Sequence, residues 1–339
     1  MSDFSNLNII NIESIYVSDL LKSPITFELL TNDSTLNNKI KTKQLNRPQL
    51  ALSGYEGFYD YDCIQIIGNT EAFYIDTLSK EVKKNRYKYL LSLQSPCFIF
   101  SDGLIPDKDF IKIANQNNVA VLSSSLDYSR LNLFLIEFFD DQFASQVVMH
   151  GSFLDVFGVG LLFVGRSGIG KSEIALDLVE RGHRLVADDV VMLSKKNESI
   201  LMGTGTSLVQ HFMEIRGLGI IDIRQMFGIR SIRYQKRLEI IVELMDWKKG
   251  EEYQRVGLEE ESSQILGVEV STVKLPIFPG KNITVIAETI AINYLLRTYG
   301  YNAAKELTNK IKSEIDINKA GIMPSKEKRA VNWFRFDRE

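Results

Sequence analysis

A short glycine-rich segment in the middle of the chain constrains its fold more than any other feature. Residues 165–172 read GRSGIGKS and match the pattern G-x-x-x-x-G-K-[ST] at every defined position. An apolar run precedes the segment, and apolar residues at helical spacing follow it. In such a loop the glycines let consecutive backbone N–H groups point at a polyphosphate, and the following helix adds its positive end. The sequence therefore predicts a nucleotide-binding loop made of Gly165, Arg166, Ser167, Gly168, Ile169, Gly170, Lys171 and Ser172.

Two residues of this loop and a carboxylate pair beyond it favour phosphoryl transfer. We expect Lys171 to reach the β and γ phosphates and the Ser172 hydroxyl to bind Mg²⁺. Transfer also needs another metal ligand, a base and a cation for the developing charge. Asp188 and Asp189 follow the apolar run 184–187, so we expect them near the loop, at the strand end where open α/β sheets bind ligands. A solvated turn is the alternative for two adjacent carboxylates, and we favour the catalytic interpretation.

Three further segments carry side chains that suit phosphate chemistry. His150 precedes the loop, and its spacing fits a catalytic histidine and a merely exposed one equally well. Glu214 and Arg216 stand before a Gly-x-Gly turn, which is compatible with a loop that faces metal and phosphate or with a solvated turn. Residues 276–282 read PIFPGKN, a rigid turn ending in a cation, for which an ordinary loop is favoured. The patterns alone lead to a magnesium-nucleotide enzyme with undetermined helper residues.

The composition is that of an ordinary folded chain and excludes several classes of partner. Of the 339 residues, 45% are hydrophobic and 24% are charged, and the formal net charge is −3. So small a charge provides no field to hold DNA, RNA or an anionic membrane, and we expect no nucleic-acid and no membrane partner. Neither a signal-peptide pattern nor an apolar run of about 18 residues is visible, which favours a cytoplasmic protein. Cys63 and Cys97 are expected to be reduced thiols.

The length of the chain predicts two domains, because one domain typically has about 150 residues. Strands that alternate with helices before residue 125 indicate a small parallel α/β layer in a first domain, residues 1–140. A second domain, residues 141–318, contains the phosphate loop. Residues 319–339 form a tail that mixes basic and aromatic side chains.

Apolar patterning around the loop predicts the elements that carry the candidate residues. We expect strands at 147–156, 160–164 and 184–193 and a helix at 288–299. In the first domain, the longest helix pattern covers residues 76–93. His150 is thus expected inside a strand.

Several strings, in a fixed order, make the chain resemble the bacterial HPr kinase/phosphorylase family, P-loop serine kinases unrelated to the eukaryotic protein-kinase fold. The resemblance implies an α/β protein, in which a small N-terminal α/β domain precedes a P-loop kinase catalytic domain with a mixed sheet and C-terminal helices. Weaker agreement extends over residues 46–71. The strings are MHGSFLDVFGVG (149–160), GRSGIGKSE (165–173), RGHRLVADD (181–189), MEIRGLGIID (213–222), RVGL (255–258), PGKN (279–282) and YNAA (301–304).

The resemblance also implies roles for the matching residues. Asp189 would take the seryl proton during phosphorylation and return it during dephosphorylation, with Asp188 supporting it. Lys171 would bind the transferred phosphate, while Ser172 and Glu214 would contact the metal.

The resemblance also implies roles for two more single residues and for two loops. His150 and Arg255 would position and stabilise the phosphates in flight. One loop would surround the metal contact, and it comprises Met213, Glu214, Ile215, Arg216, Gly217, Leu218, Gly219, Ile220, Ile221 and Asp222. The other would matter mainly for the reverse reaction, and it comprises Pro276, Ile277, Phe278, Pro279, Gly280 and Lys281.

The activity that the resemblance implies runs in two directions at one site. It is the phosphorylation of a regulatory serine on the phosphocarrier protein HPr, with Mg²⁺ and with ATP or pyrophosphate as donor, and the phosphorolysis of that phosphoserine by inorganic phosphate to give pyrophosphate. A homohexamer is implied as well. Two alternatives stay open: a serine kinase of the same fold with another acceptor, and a P-loop regulatory protein that binds nucleotide without transferring phosphate.

The chain departs from the family pattern at two positions. Arg166 stands where the family usually has Asp or Glu, which we expect to affect nucleotide preference rather than activity. Lys281 replaces the usual Arg of PGRN, and a lysine offers a point charge in place of a bidentate fork. We therefore expect phosphorolysis to be weaker than it would be with the usual arginine.

Overall fold

Contacts within the chain divide it into two units. One comprises residues 7–148 and 193–201, and the other comprises residues 149–192 together with the chain after residue 201 and contains the phosphate loop. Within the described chain, no helix combines the length and the apolar character needed to cross a membrane. The computed structural model describes residues 7–55, 57, 59–196, 198–206, 209–247, 261–278, 280 and 282–319.

The first unit is built on a five-stranded sheet whose strands alternate with helices. In chain order the elements up to the phosphate-loop unit are β1 (Ile9–Ile10), β2 (Ile15–Tyr16), α1 (Val17–Leu20), β3 (Glu28–Leu29), β4 (Lys39–Ile40), β5 (Leu45–Asn46), α2 (Gln49–Ser53), β6 (Ile64–Ile67), α3 (Asn69–Thr77), α4 (Lys80–Ser92), β7 (Cys97–Phe100), α5 (Lys108–Gln116), β8 (Ala120–Ser123), α6 (Tyr128–Gln142) and β9 (Gln146–His150). The sheet order is β3-β8-β7-β6-β5, with β5 to β8 parallel and β3 antiparallel at the edge. The predicted parallel α/β layer is confirmed.

Two details of this unit test the predictions from the sequence. The helix predicted over residues 76–93 is wrong, because Leu78 is extended and Ser79 begins a new helix by accepting a hydrogen bond from the Val82 N–H at 3.5 Å. Both cysteines are buried free thiols, as expected. Burial raises the pKa of Cys63 to about 12, so this thiol stays protonated at neutral pH.

The phosphate-loop unit centres on a six-stranded mixed sheet. The elements that follow β9 are β10 (Ser152–Val156), β11 (Val159–Val164), α7 (Lys171–Glu180), β12 (Arg184–Ala187), β13 (Val190–Lys196), β14 (Ile200–Gly205), β15 (Phe212–Ile215), β16 (Gly219–Asp222), α8 (Ile223–Phe227), β17 (Gln235–Arg237), β18 (Ile240–Asp246), β19 (Glu261–Ile265), β20 (Val268–Ile277), α9 (Ile283–Thr298) and α10 (Ala303–Lys319). The sheet order is β12-β10-β11-β18-β20-β19. The three strands β11, β18 and β20 run parallel, and the others pair antiparallel. The tail predicted at 319–339 lies, apart from Lys319, outside the described residues.

Helices α7 and α9 cover this sheet with their apolar faces. On α7, Ile174 and Leu178 lie four residues apart and share one buried cluster with Phe163 of β11 and Val242 of β18. On α9, Ala287 joins the same cluster. Each such side chain that is fully removed from water stabilises the fold by about 1.5–3 kcal/mol. The core therefore fixes α7, and with it the loop that precedes α7.

Polar contacts also join the two helices. Arg181 donates to both carboxylate oxygens of Glu288 on α9, at 2.9 and 2.6 Å, and His183 shares a 3.0 Å hydrogen bond with the same carboxylate. The bonds from Arg181 hold the pKa of Glu288 below its ordinary value. Because the folded-state pKa is lowered, the contribution of this carboxylate to stability is present at neutral pH and is lost as the pH falls through that pKa.

Three elements around the loop differ from the predictions. The strand predicted at 147–156 breaks at Gly151, where a Cβ would lie 2.5 Å from the carbonyl oxygen of Phe163. The strand predicted at 184–193 breaks after β12, because Asp189 adopts a left-handed φ of +64° that interrupts the pleat. Helix α9 begins at Ile283 rather than at residue 288, since the Asn282 side chain caps it through a hydrogen bond from the Val285 N–H.

Two glycines of the β10-β11 hairpin allow the effect of close packing to be compared with the effect of backbone strain. At Gly160 a Cβ would lie 1.9 Å from the carbonyl oxygen of Arg237, whereas at Gly158 it would meet no atom of the described residues within 4 Å, but φ is +87°. We expect Gly160→Ala to lower the free energy of unfolding by about 3 kcal/mol and Gly158→Ala by about 1 kcal/mol. Urea denaturation measures both values. Equal losses would contradict the close approach at Gly160.

Candidate active site

The phosphate loop connects β11 to α7. Its backbone has positive φ at Gly168, +75°, and at Gly170, +105°, a region that side-chain-bearing residues rarely adopt. Gly170 is the N-cap of α7, so the helix begins directly at Lys171. The unbonded N–H groups of the first turn of α7 thus adjoin the loop, which is the arrangement that binds anions.

Lys171 lies against the loop it follows. Its Nζ donates to the carbonyl oxygens of Gly165 and Arg166, at 3.1 and 3.2 Å. The ammonium is therefore held at the loop by weak neutral acceptors. A phosphate offers charged oxygens to the same group, and charge-assisted hydrogen bonds are about twice as strong as neutral ones.

Asp188 links the loop to the neighbouring hairpin. Its side chain is buried and accepts a 2.9 Å hydrogen bond from the Ser172 hydroxyl and a 2.5 Å hydrogen bond from the Ser152 hydroxyl. Burial raises the pKa of Asp188, although the bonds from both serines act in the opposite direction. The structure thus places this carboxylate at the phosphate loop, as the sequence predicted.

Ser152 is a functional candidate that sequence reasoning missed. It is fully buried, and its hydroxyl donates to the Asp188 oxygen that Ser172 does not contact. The string 149–160 contains Ser152, but nothing in its spacing points to a carboxylate 36 residues further along the chain. Only the pairing of β10 with β12 brings the two together.

Asp189 is exposed to solvent, whereas the preceding residue, Asp188, is buried. The Asp189 side chain is 77% exposed, and the Nδ1 atom of His150 lies 3.7 Å from its Oδ1 atom. The main chain is fixed, because the Gly151 N–H donates to the Asp189 carbonyl at 3.1 Å. Adjacent carboxylates thus occupy a buried and an open position, an arrangement that lets two acids take different roles.

Arg216 approaches the loop from the β15-β16 hairpin. A Cβ on Gly168 would lie 2.9 Å from the Nη1 atom of Arg216, so the guanidinium lies directly against the loop backbone. The described part of the chain provides no carboxylate partner for it. Glu214, exposed on the same hairpin and paired with Ile220, likewise forms no ion pair with any described residue.

Arg166 is paired with a carboxylate on the next strand. Its guanidinium donates from Nε and Nη2 to the two carboxylate oxygens of Asp246, at 2.6 and 2.8 Å. Asp246 is the last residue of β18, which pairs with β11. The unusual residue in the second position of the loop therefore binds a carboxylate of the protein.

The structure brings six of the candidate residues together at the phosphate loop and leaves others further along the same sheet edge or outside its description. Arg255, Pro279 and Lys281 lie outside the described residues. Pro276 and Ile277 end β20, which is separated from β11 by β18. The six residues that meet at the loop are His150, Lys171, Ser172, Asp188, Asp189 and Arg216.

The donor atoms at the loop fit magnesium. The Ser172 hydroxyl and the Asp188 carboxylate, 2.9 Å apart, are hard oxygen ligands. Among the residues that the structure describes, no group of three or more His, Cys, Asp or Glu side chains forms a metal cage. A site with few protein ligands suits Mg²⁺, because this ion usually keeps waters and takes oxygens from substrate phosphates.

The chain matches two family models and is similar to a solved structure. The model described as the HPr Serine kinase N terminus matches residues 15–139, and the HPr Serine kinase C-terminal domain matches residues 141–311. The solved structure of the Hpr(Ser) kinase/phosphatase from Coxiella burnetii is 32% identical, covers 47% of this chain and 97% of its own, and has a TM-score of 0.43.

Relatives that match over most of their length carry the same family name. The HPr kinase/phosphorylase of Chloroherpeton thalassium is 45% identical over 96% of this chain and 95% of its own. That of Chlorobaculum tepidum is 42% identical over 87% of both chains. With both domains matched and relatives of this similarity, the chain belongs to the HPr serine kinase family.

Proposed function

We propose that this chain transfers a phosphoryl group from ATP to a regulatory serine of HPr and that it removes the group by phosphorolysis at the same site. Pyrophosphate is the proposed alternative donor. One observation carries the proposal: the exposed Asp189 stands next to a buried Asp188 that is hydrogen-bonded to Ser172 of the phosphate loop. The relatives named HPr kinase/phosphorylase support both directions.

Ser172 and Asp188 would hold Mg²⁺, with Glu214 as the further ligand that the family resemblance implies. When bound, the ion neutralises phosphate charge and orients the phosphates. The residues themselves prepare this site: Ser152 fixes one oxygen of Asp188, and Ser172 contacts the other.

In the forward direction, Asp189 acts as the base. The serine oxygen of HPr attacks the γ phosphorus while its proton passes to the Asp189 carboxylate, and the bond to the β-phosphate oxygen breaks to release ADP. Lys171 and Arg216 face the loop and stabilise the charge on the transferred group. His150 and Arg255 would position the phosphates.

In the reverse direction, the same residue acts as the acid. An oxygen of inorganic phosphate attacks the phosphoserine phosphorus, and protonated Asp189 gives its proton to the departing serine oxygen, so that serine and pyrophosphate are released. A seryl alkoxide leaves poorly without this proton. Use of one carboxyl group in both directions follows from microscopic reversibility.

The acceptor is tested by label transfer. Purified chain, HPr from the same organism and γ-labelled ATP with Mg²⁺ are expected to give labelled HPr, and an HPr variant with alanine at the regulatory serine is expected to stay unlabelled. Labelling of another protein in place of HPr would show that the acceptor is wrong although the chemistry is right.

Ser152→Ala is expected to weaken magnesium activation by about 10- to 100-fold, since residues that orient a metal ligand contribute on this scale. The measurement is the Mg²⁺ concentration that gives half-maximal kinase rate. Ser313→Ala on α10, whose hydroxyl bonds only to the Lys310 carbonyl among the described groups, serves as the control. An unchanged magnesium requirement in Ser152→Ala would contradict the role of Asp188 as metal ligand.

We also propose a homohexamer and a cytoplasmic location, both on the strength of the family resemblance. Sedimentation equilibrium measures the first directly. A monomer at micromolar concentration would contradict it.

A further inference from the structure

Two aromatic side chains lie at the sheet edge that carries the phosphate loop. Because β11, β18 and β20 are parallel neighbours, their carboxyl ends meet at the same edge. The loop follows β11, Trp247 follows β18 and Phe278 follows β20. The Trp247 N–H donates to the carbonyl of Ile277 at 3.2 Å, so the backbone stays in register up to the aromatic pair.

The Trp247 backbone is tied to the phosphate loop through its neighbour. Asp246 holds Arg166 of the loop by two hydrogen bonds of 2.6 and 2.8 Å. Consecutive Cα atoms are about 3.8 Å apart, so Trp247 follows directly beyond a residue that touches the loop. The unusual Arg166 thereby gains a function, because it anchors the strand end from which Trp247 projects.

Both rings are open to solvent. Trp247 is 46% exposed and Phe278 is 40% exposed, and their centroids lie 6.1 Å apart with the planes inclined by 56°. The two rings therefore pack against each other and still present apolar surface outward. An exposed tryptophan beside a nucleotide loop is a ready surface for a flat aromatic ligand, since every base has a π face.

The sheet order places this aromatic pair opposite the reacting groups. Asp188 and Asp189 follow β12, on one side of β11, whereas Trp247 and Phe278 follow β18 and β20, on the other side. A nucleotide whose γ phosphate faces the aspartates extends its nucleoside away from them. Its base then reaches the side of the loop where the aromatic pair lies.

We propose that Trp247, backed by Phe278, is the platform on which the purine base of ATP stacks. This inference rests on the proposed function and adds to it the part of the site that distinguishes the two donors. Pyrophosphate has no base, so it occupies the loop without using the platform. The platform provides affinity through stacking area and not through hydrogen bonds to the edge of the base.

The test compares the binding of the two donors by isothermal titration calorimetry with the intact chain and Mg²⁺. Trp247→Ala is expected to raise the Kd for ATP by about 5- to 150-fold, the range that base stacking on an aromatic ring gives. The Kd for pyrophosphate is expected to change by less than about twofold, and Trp247→Phe is expected to recover most of the ATP affinity. Tyr299→Ala, which removes an 85% exposed ring at the end of α9, is the control for loss of surface aromatic area.

Two results would overturn the inference. Equal losses for ATP and pyrophosphate would mean that Trp247 supports the loop and does not contact the base. An unchanged ATP affinity would mean that the base lies elsewhere. Failure of the proposed function is a separate observation, because the wild-type chain would then transfer no phosphate to HPr from either donor, whatever the titrations show.

Discussion

Asp189→Asn is expected to abolish both HPr phosphorylation and phosphorolysis, each by a factor of at least about 10²–10⁴. An amide neither accepts the seryl proton nor returns it, and the Nδ1 atom of His150, 3.7 Å from the Asp189 Oδ1 atom, lies beyond hydrogen-bond distance. ATP binding is expected to stay within about twofold, since the carboxylate lies outside the phosphate loop. Initial rates in both directions and titration with ATP measure these three quantities.

A matched control is available in the first unit. Asp102 is also an exposed aspartate with left-handed φ, +60°, so Asp102→Asn makes the same chemical change at a similar backbone conformation. It is expected to leave both rates unchanged. Loss of only one direction in Asp189→Asn would contradict the shared acid and base role, and retention of both would refute it.

Arg216→Ala is expected to lower kcat for HPr phosphorylation by about 10³-fold, the scale on which an arginine stabilises charge in phosphoryl transfer. Its guanidinium lies against Gly168 and is not neutralised by any described carboxylate. Arg216→Lys is expected to recover only part of the rate, because a lysine retains the charge but lacks the planar fork. The KM for ATP should change far less than kcat.

The arginine of the phosphate loop itself is the control for this prediction. Arg166 is paired with Asp246, so Arg166→Ala is expected to lower kcat by less than about tenfold. Similar losses in the two alanine variants would mean that general positive charge, and not the position of Arg216, supports catalysis.

The residues that the sequence could predict are those whose role is set locally. The phosphate loop depends on three closely spaced glycines and a lysine between a strand and a helix, and the glycines and the lysine lie within eight residues. Asp188 could be placed near the loop because it follows an apolar strand. Its burial could not be predicted, because the burial arises from Ser152 on β10, a strand that pairs with β12.

The features that the sequence could not predict arise from contacts between distant segments. The break at Gly151 depends on the carbonyl of Phe163, and the left-handed φ of Asp189 is visible only in the backbone. Arg166 finds its partner 80 residues away, because β11 lies beside β18. Sequence periodicity predicts strands, but which strands become neighbours is decided by the packing of the whole unit.

The release of pyrophosphate tests the central claim most directly. Seryl-phosphorylated HPr, inorganic phosphate and Mg²⁺ are incubated with the wild-type chain, and dephosphorylated HPr and pyrophosphate are both quantified. We expect equal amounts of the two products and none of either with Asp189→Asn. Dephosphorylation without pyrophosphate would show that water and not phosphate is the attacking group, and this result would contradict a single site that works in both directions.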